Sequence, residues 1–218
     1  MSETIKINEI FHSIQGESSY VGQPTVFIRT SGCHLRCDYC DTKYAYNEGR
    51  SLNLDEIIST VENYGAQYVC VTGGEPLLQK NIYKLLTLLC DKNFTVSLET
   101  SGDIDCIHVD PRVKMIIDIK TPDSGEKDKY HLNNLSEKIK NDVKTEYKFV
   151  ICSINDFEWS EEFCLKYDLF RSSTVLYSPS FNMINEKWLA EKIIEKKSRA
   201  RLQLQLHKYI WNEQQRGV

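Results

Sequence analysis

Strand-like apolar stretches alternate with helical segments along most of the chain, and this alternation restricts the possible folds more than any other feature. The apolar patterning predicts strands over residues 5–11, 25–30, 67–71, 95–99, 114–119, 144–151, 174–177 and 201–206. Helices are predicted over residues 54–63, 80–92, 128–139, 157–166 and 185–197. Such alternation predicts an α/β protein with a mostly parallel sheet and right-handed crossover helices.

The length of the chain distinguishes between a closed barrel and an open one. A complete eightfold (β/α) barrel takes roughly 250 residues, and this chain has 218. No repeat, low-complexity tract or long linker divides the sequence. We therefore expect an incomplete (β/α) barrel that occupies residues 1–218 as a single domain.

Composition and charge exclude several classes of protein. A hydrophobic content of 41% and a charged content of 27% are typical of a soluble globular chain. The net charge of −4 gives no indication of the basic surface that binds nucleic acid. No apolar run approaches the roughly 18 residues of a membrane span. The N-terminal sequence lacks the pattern of a signal peptide. We expect a cytoplasmic protein without nucleic-acid or membrane partners.

Three of the eight cysteines lie close together in the sequence GCHLRCDYCDT, within a predicted loop of residues 32–47. Cys33, Cys37 and Cys40 have the spacing C-x3-C-x2-C. The other five are scattered and are predicted to be core or incidental residues: Cys70, Cys90, Cys106, Cys152 and Cys164. A [4Fe–4S] cluster normally takes four cysteine ligands. Three ligands would leave one iron open, so the spacing indicates chemistry rather than a purely structural cluster.

Zinc is the alternative metal for this loop. His34 follows Cys33, and three cysteines with one histidine form a known structural zinc set. Structural zinc sites usually combine two short ligand pairs, however, and the sequence offers no second pair at His108, His131 or His207. The spacing favours a cluster and leaves zinc as the minority interpretation.

Polar residues follow most of the predicted strands, where the catalytic groups of parallel α/β proteins gather. They occur in HSIQGE after the first strand, RTSG after the second, TGGEP after the third, ETSG after the fourth, DIK after the fifth and HK after the last. This concentration of polar groups at one predicted edge of the sheet indicates a binding site there.

Several of these residues have a structural explanation beside the functional one. TGGEP either forms a tight turn only or also binds a small polar ligand through its exposed backbone groups. Arg29 either binds a ligand carboxylate or pairs with Glu17 or Asp41. The sequence pattern predicts that Glu99 is half-buried. Because a carboxylate is rarely buried without a role, this position favours a functional role for Glu99. His207 is equally compatible with a role in the site and with a structural role at the end of a strand.

Longer stretches of the sequence resemble a known enzyme family. The segments EIFHSIQGESSYVGQPTVFIRTSGCHLRCDYCDT, TGGEP, ETSG, DIKTP and LHKYIW resemble the 7-carboxy-7-deazaguanine synthases of the radical S-adenosylmethionine (SAM) superfamily, from residue 9 to about residue 211. The cysteine loop and TGGEP are shared with many radical SAM enzymes. The specific markers are QGE ahead of F-x-R-x-x-G-C, CDT at the third cysteine, and HKYIW.

The resemblance implies a site with three kinds of bound group. The [4Fe–4S] cluster would be held by Cys33, Cys37 and Cys40, and its open iron would bind SAM. Thr42 would bind Mg²⁺. The residues implied around SAM are Tyr39, Cys40, Asp41, Gly74, Glu75, Glu99, Asp118, Lys120 and Ser124. The residues implied for the pterin-like substrate are Gln15, Glu17, Arg29, Thr72, Thr100 and His207.

The resemblance also implies the reaction and the partners. The substrate would be 6-carboxy-5,6,7,8-tetrahydropterin, converted to 7-carboxy-7-deazaguanine by ring contraction with loss of ammonia, in queuosine biosynthesis. An electron from the cluster would cleave SAM, and the 5′-deoxyadenosyl radical would take hydrogen from C6 and later return it, so that SAM is regenerated. A homodimer and an electron donor such as a flavodoxin or ferredoxin are expected with this chemistry.

The sequence departs from the family pattern in two places. Ser18 stands where the family usually has glycine, so we expect the backbone there to be placed slightly differently. DIKTPDSG differs from the serine-proline-lysine form of some members. The C-terminal tail NEQQRGV is a candidate for closing over the pocket.

Two other functions compete with this interpretation. One is a radical SAM activase that makes a glycyl radical on a partner protein, which has no need of QGE, CDT and HKYIW. The other is a zinc- or cluster-bearing binding module without catalysis, which would not bind SAM.

Overall fold

The computed structural model describes residues 3–211 and 216–217. Its strands are β1 (Thr4–Ile14), β2 (Pro24–Thr30), β3 (Arg50–Asn53), β4 (Tyr68–Gly73), β5 (Thr95–Thr100), β6 (Lys114–Asp118), β7 (Thr145–Ile151), β8 (Thr174–Pro179) and β9 (Arg201–Leu202). Its helices are α1 (Leu54–Tyr64), α2 (Ile82–Asp91), α3 (Glu137–Lys140), α4 (Ile154–Lys166), α5 (Leu169–Ser172), α6 (Glu186–Lys196) and α7 (His207–Ile210).

The strands form one nine-stranded sheet in the order β3-β1-β2-β4-β5-β6-β7-β8-β9. From β2 to β9, every neighbouring pair in that order runs parallel. In the described part of the chain, β3 and β9 are the two ends of the order and do not pair with each other. The sheet is therefore open, which confirms an α/β fold of the incomplete-barrel type.

The direction of β1 differs from the expectation. It runs antiparallel to both β2 and β3, and pairing of Ile14 with Pro24 puts its end at the edge where β2 begins. The connecting loop of residues 15–23 is short, and a short loop can join neighbouring strands only when they are antiparallel. Gln15 and Glu17 therefore reach the site from a hairpin loop, and the prediction that they follow a parallel strand is wrong.

The helix predicted over residues 128–139 is largely replaced by a 3-10 turn at Leu132–Leu135 and the short helix α3. The fully buried Asn134 explains the difference. Its amide nitrogen donates to the Gly102 and Ile104 carbonyls, each at 2.8 Å. Bonds of this kind compete with the regular backbone pattern of a helix.

The strand predicted over residues 201–206 ends early, at Leu202. Beyond it the Leu206 amide donates to the Gly16 carbonyl at 3.0 Å, so the chain leaves the sheet and docks on the hairpin loop. The short edge strand β3 was not predicted, because two of its four residues are exposed and two half-buried, without an apolar pattern.

The central strands separate apolar from polar side chains by their alternation. Along β7, Tyr147, Phe149 and Ile151 belong to the main core beneath the helices, whereas Lys148 between them lines a cavity on the other face. Successive residues of a strand point to opposite faces, and Thr72 follows the core residues of β4 in the same way. One face of the sheet therefore supports the fold, and the other presents polar groups to a common space.

Two of the helices begin with a side-chain cap. Asn53 and Glu56 form a reciprocal capping box at the start of α1, with both hydrogen bonds at 2.8 Å. Asn185 accepts hydrogen bonds from the first turn of α6. Among the helices of the described residues, none has the length and apolar character needed to span a membrane.

Candidate active site

A cavity of about 640 Å³ lies over the polar face of the sheet. Predicted site residues that line it are Gln15, Glu17, Arg29, Cys33, Cys37, Tyr39, Cys40, Asp41, Thr42, Thr72, Gly74, Glu99, Thr100, Asp118, Lys120 and His207. The two predicted residues outside its lining are Glu75 and Ser124. The structure thus brings nearly the whole predicted set together in a cavity whose volume is typical of small-molecule sites.

The cysteine loop is held beside the cavity by backbone hydrogen bonds. The Gly32 amide donates to the Ala45 carbonyl at 2.8 Å, and the Asp38 amide donates to the Ser124 carbonyl at 3.1 Å. The Ser124 hydroxyl donates to the Thr121 carbonyl at 2.6 Å. Ser124 therefore supports the loop through its backbone, and it does not itself line the cavity.

The three loop cysteines are free thiols that line the cavity, and the other five are buried, as predicted. Burial raises the pKa of Cys37, the Lys120 ammonium lowers it, and Asp118, Cys40 and Cys33 raise it; together they bring this pKa to about 11. Within the described residues, no three His, Cys, Asp or Glu side chains are close enough for one metal ion. In a [4Fe–4S] cluster each cysteine binds a different iron, so three separated thiols suit a cluster with one open iron.

The two glycines of TGGEP pack against the start of the cysteine loop. Gly73 has φ +139°, and a side chain there would overlap the backbone of Thr30. At Gly74, a Cβ atom would overlap the carbonyl of Gly32. The Glu75 amide also donates to that carbonyl at 2.8 Å. TGGEP is therefore a tight turn whose glycines also form part of the cavity wall.

Gly74→Ala should lower the free energy of unfolding by about 2 kcal/mol, because the added methyl group must displace the backbone of the cysteine loop. Iron uptake on anaerobic reconstitution should fall as well. Gly65→Ala is the control: it sits at φ +69° in open space, and its cost of about 1 kcal/mol should leave iron uptake intact. Urea unfolding and iron analysis provide both readouts, and a Gly74→Ala protein with normal values would contradict this packing role.

Glu75 is completely buried and its carboxylate is fully hydrogen-bonded within the protein. Oε1 accepts from the Thr100 hydroxyl at 2.8 Å and the Leu77 amide at 3.0 Å. Oε2 accepts from the amide and hydroxyl of Ser101, at 2.8 and 2.7 Å. Glu75 therefore ties the TGGEP turn to the ETSG turn, and it does not itself line the cavity.

Glu75→Gln should lower the free energy of unfolding by about 1–3 kcal/mol, since an amide nitrogen would face donors in a buried position. Glu158→Gln, at an exposed position of α4, should change stability little and serves as the control. Chemical denaturation with a parallel SAM-binding titration distinguishes a structural role of Glu75 from direct contact with SAM. Unchanged stability together with lost SAM binding would mean that Glu75 contacts SAM directly.

Tyr39, Asp118 and Lys120 form a buried polar group beside the thiols. Lys120 pairs with Asp118 at 3.1 Å, and its ammonium lies 5.6 Å from the centre of the Tyr39 ring. Burial opposes the charge on Lys120, but Asp118 outweighs it and raises the pKa of the ammonium. The Tyr39 hydroxyl and Asp118 Oδ1 are buried without a hydrogen-bond partner among the described residues. These polar atoms in the cavity wall suit a polar cofactor such as SAM.

The hairpin loop contributes a second buried network. The Glu17 carboxylate pairs with the Lys148 ammonium, and Gln205 Nε2 donates to its other oxygen at 2.7 Å. Burial disfavours the charge of Glu17, but Lys148 and then His207 outweigh it, so that its pKa is lowered. Gln15 Nε2 is buried, and the Gln15 side chain lies at the Cys70 thiol, whose pKa it lowers. The network therefore keeps Glu17 ionised.

Ser18 adopts φ +64°, the left-handed conformation that glycine enters at least cost. The serine that replaces the family's usual glycine thus occupies a glycine-type conformation. Its hydroxyl accepts from the Tyr20 amide at 3.2 Å. The next residue, Ser19, is anchored by Glu146, which pairs with Lys114 at 2.9 Å. These contacts hold the backbone that presents Glu17.

Arg29 does not pair with Glu17 or Asp41, the two structural partners that the sequence suggested. Its Nε donates to Glu9 at 2.8 Å, and Glu9 is its direct cross-strand neighbour on β1. The guanidinium carbon lies 5.6 Å from the centre of the Phe11 ring. No other hydrogen bond of Arg29 occurs within residues 3–211 and 216–217. Its two terminal nitrogens are therefore available for a ligand carboxylate.

Asp41 and Thr42 end the cysteine loop with a cluster of oxygen atoms. The Thr42 hydroxyl donates to Asp41 Oδ1 at 2.8 Å, and Lys208 pairs with Asp41 Oδ2 at 2.9 Å. Desolvation opposes the negative charge, but Lys208 outweighs it and lowers the pKa of Asp41 to about 2. Hydroxyl and carboxylate oxygens of this kind are the ligands that Mg²⁺ prefers.

Glu99 is half-buried, as its sequence pattern indicated. It accepts a hydrogen bond from the Thr72 hydroxyl at 3.0 Å. Burial raises the pKa of Glu99, and the charge of nearby Glu17 raises it further, although Lys148 acts in the opposite direction. Glu99 is thus the cavity carboxylate with the greatest tendency to bind a proton.

Sequence reasoning missed Lys148 and Gln205, both of which line the cavity. Lys148 lies in the middle of β7, away from the strand ends where catalytic groups are expected. The sequence feature that could have identified Lys148 is its charge, because it lies between Tyr147 and Phe149 in a buried strand. Most of the tail proposed to close the pocket, residues 212–215, lies outside the described residues. Arg216 lines the cavity, with its guanidinium carbon 3.8 Å from the centre of the Tyr44 ring.

Comparison with known sequences identifies relatives along nearly the whole chain. The profile of the radical SAM superfamily matches residues 27–123. A 7-carboxy-7-deazaguanine synthase from Chlorobaculum tepidum is 42% identical over 98% of this chain and 97% of its own length. A protein of the same name from Koribacter versatilis is 36% identical over 98% of this chain and its entire length.

Comparison with solved structures supports the same architecture. The crystal structure of QueE from Escherichia coli superimposes with a TM-score of 0.77 and 23% sequence identity, covering 94% of this chain and 95% of that protein. At this level of identity the likeness establishes the fold. The sequence relatives, by contrast, exceed the similarity needed to establish a family.

Proposed function

The chain belongs to the 7-carboxy-7-deazaguanine synthases of the radical SAM superfamily, and we propose that it converts 6-carboxy-5,6,7,8-tetrahydropterin to 7-carboxy-7-deazaguanine. The reaction is a ring contraction with loss of ammonia, carried out by a radical SAM carbon–nitrogen lyase of queuosine biosynthesis. The observation that carries this proposal is that one cavity is lined both by the three free thiols and by the polar side chains Gln15 and Glu17 of the hairpin loop.

Membership of the superfamily implies a [4Fe–4S] cluster and SAM as cofactors. Cys33, Cys37 and Cys40 hold the cluster, which supplies the electron that activates SAM for hydrogen abstraction when both are bound. Tyr39, with its unpartnered buried hydroxyl, and the Asp118–Lys120 pair provide polar contacts for SAM. The cofactors carry the radical chemistry, and the protein positions them and excludes water.

The remaining cavity residues around SAM and the substrate follow from the same arrangement. The backbone of Cys40, Asp41 and Gly74 approaches SAM beside Glu99, whereas Glu75 and Ser124 contribute by holding their loops. Thr72, Thr100, Gln15 and His207 surround the substrate on the hairpin side. Glu17 accepts hydrogen bonds from the amino edge of the pterin, and Arg29 binds its carboxylate.

Several further properties belong to the proposal. Mg²⁺ binds at Thr42, whose hydroxyl lies beside the Asp41 carboxylate in the cavity wall. The whole chain, residues 1–218, is one catalytic domain with its cluster loop at residues 32–47. The protein works in the cytoplasm as a homodimer and receives electrons from a flavodoxin or ferredoxin.

The decisive experiment is anaerobic reconstitution with iron and sulfide, followed by incubation with reductant, SAM, Mg²⁺ and 6-carboxytetrahydropterin. Mass spectrometry should detect 7-carboxy-7-deazaguanine while the amount of SAM stays constant. Cleavage of SAM with the pterin unchanged would contradict the proposed substrate and would favour the alternative function as a radical SAM activase. A protein that takes up zinc and no cluster would overturn the chemistry.

A further inference from the structure

Lys148 is a buried cation in the middle of a strand, and no part of the proposed chemistry has yet used it. It is 9% exposed, lines the cavity and pairs with Glu17. Burial disfavours its charge, but Glu17, Asp118 and Glu99 outweigh that effect and raise the pKa of the ammonium. An ammonium kept charged inside a ligand cavity is costly to bury without a purpose.

The other paired cavity carboxylates already have cations of their own. Asp118 pairs with Lys120 at 3.1 Å and Asp41 pairs with Lys208 at 2.9 Å. Lys148 is thus the cation that pairs with Glu17, the carboxylate that faces the pterin in the proposed function. Its position next to Glu17 makes it a candidate for substrate contact.

The hydrogen-bonding capacity of the pair exceeds what the protein uses. An ammonium has three N–H donors, and Glu17 is the one hydrogen-bond acceptor of Lys148 within the described part of the chain. Each carboxylate oxygen can accept two hydrogen bonds, and the Glu17 oxygens accept from Lys148 and Gln205. The pair therefore offers further acceptor sites directly beside further donors.

The pyrimidinone edge of a pterin has the complementary pattern. Its 2-amino group and N3–H are donors, and the neighbouring C4 carbonyl oxygen is an acceptor. We propose that Glu17 and Lys148 recognise this edge together, with Glu17 accepting from the two donors and Lys148 donating to the C4 oxygen. Lys148 is then a specificity-determining residue that favours 4-oxo over 4-amino pterins. This inference rests on the proposed function.

Two stable ligands test the inference: 6-carboxypterin and 2,4-diaminopteridine-6-carboxylate. The second has an amino group in place of the C4 carbonyl and therefore also lacks the hydrogen on N3. Their affinities are measured by equilibrium dialysis on the cluster-loaded enzyme with SAM and Mg²⁺, without reductant, so that no turnover is needed. The wild type should bind the 4-oxo ligand at least about 10-fold more tightly, because the 4-amino group would present a donor to the ammonium. Lys148→Met should weaken 4-oxo binding roughly 10- to 100-fold and lower the affinity ratio by about the same factor. The preference that remains is the one due to N3–H and Glu17.

Two further variants separate recognition from stability. Lys140→Met removes another buried lysine, one that donates to the Tyr167 carbonyl and does not line the cavity. It should lower stability while leaving the affinity ratio at the wild-type value. Lys148→Arg keeps the charge and should retain part of the preference for the 4-oxo ligand.

Each outcome bears on one of the two proposals. A wild type without preference, or a Lys148→Met protein with the wild-type ratio, overturns the role of Lys148 even if the tetrahydropterin is turned over. Equal weakening of both ligands by Lys148→Met also overturns it, since Lys148 would then act by holding Glu17. Absence of product with the wild type overturns the function itself. If Lys148→Met fails to fold, Lys148→Arg decides the question: a ratio below the wild-type value supports the role of Lys148, and an unchanged ratio overturns it.

Discussion

Replacing Cys37 by alanine is expected to abolish both cluster binding and product formation. Cys37 is one of only three thiols available to the cluster in the cavity wall, and two ligands leave half of the irons without protein contact. The apo protein should still fold, with the free energy of unfolding changed by about 1 kcal/mol, because a buried cysteine behaves as a small hydrophobe. Iron and sulfide analysis, visible absorbance and product assay provide the measurements.

The matched control for this variant is Cys90→Ala. Cys90 is also a buried thiol, but it lies in α2 within the apolar core, away from the cavity. This variant should lose a little stability and keep its full iron content and activity. A Cys37→Ala protein that still formed a complete, active cluster would contradict the proposed ligand set.

Replacing Arg29 by alanine should raise KM for the tetrahydropterin roughly 10- to 150-fold, the range expected for a lost charged hydrogen bond. The terminal nitrogens of Arg29 have no hydrogen-bond partner among the described residues, so the substrate carboxylate is their expected ligand. Cluster content and SAM affinity should stay at wild-type values. Steady-state kinetics and a SAM-binding titration check both statements.

Glu9→Gln is the control that separates substrate binding from packing. It removes the charge that pairs with Arg29 and leaves the guanidinium in place between β1 and the cavity. Its effect on KM should be much smaller than that of Arg29→Ala. If Arg29→Ala instead lost the cluster, Arg29 would be a structural residue of the hairpin.

The cysteine loop and the strand-end residues could be predicted because they depend on local sequence. A C-x3-C-x2-C loop carries its ligands within one short segment, and Thr72, Glu99 and Asp118 occupy the carboxyl ends of parallel strands. Such positions follow from the alternation of strands and helices alone. The cavity lining confirms that these residues share one space.

The positions that could not be predicted depend on pairing between distant segments. The partner of Arg29 is set by the register of β1 against β2, and a local pattern does not specify register. The supporting role of Glu75 depends on the neighbouring ETSG turn. Lys148 contacts a loop 131 positions away. Only the folded arrangement distinguishes such residues from ordinary buried charges.

The contact between the hairpin loop and the end of the chain has a consequence for the order of synthesis. Gln205 and Glu17 lie 188 positions apart, yet they are joined by a hydrogen bond in the wall of the cavity. The cysteine loop emerges from the ribosome early, long before this bond can form. The wall of the cavity next to the hairpin loop is therefore completed last, after release of the chain, when the final segment docks on Gly16.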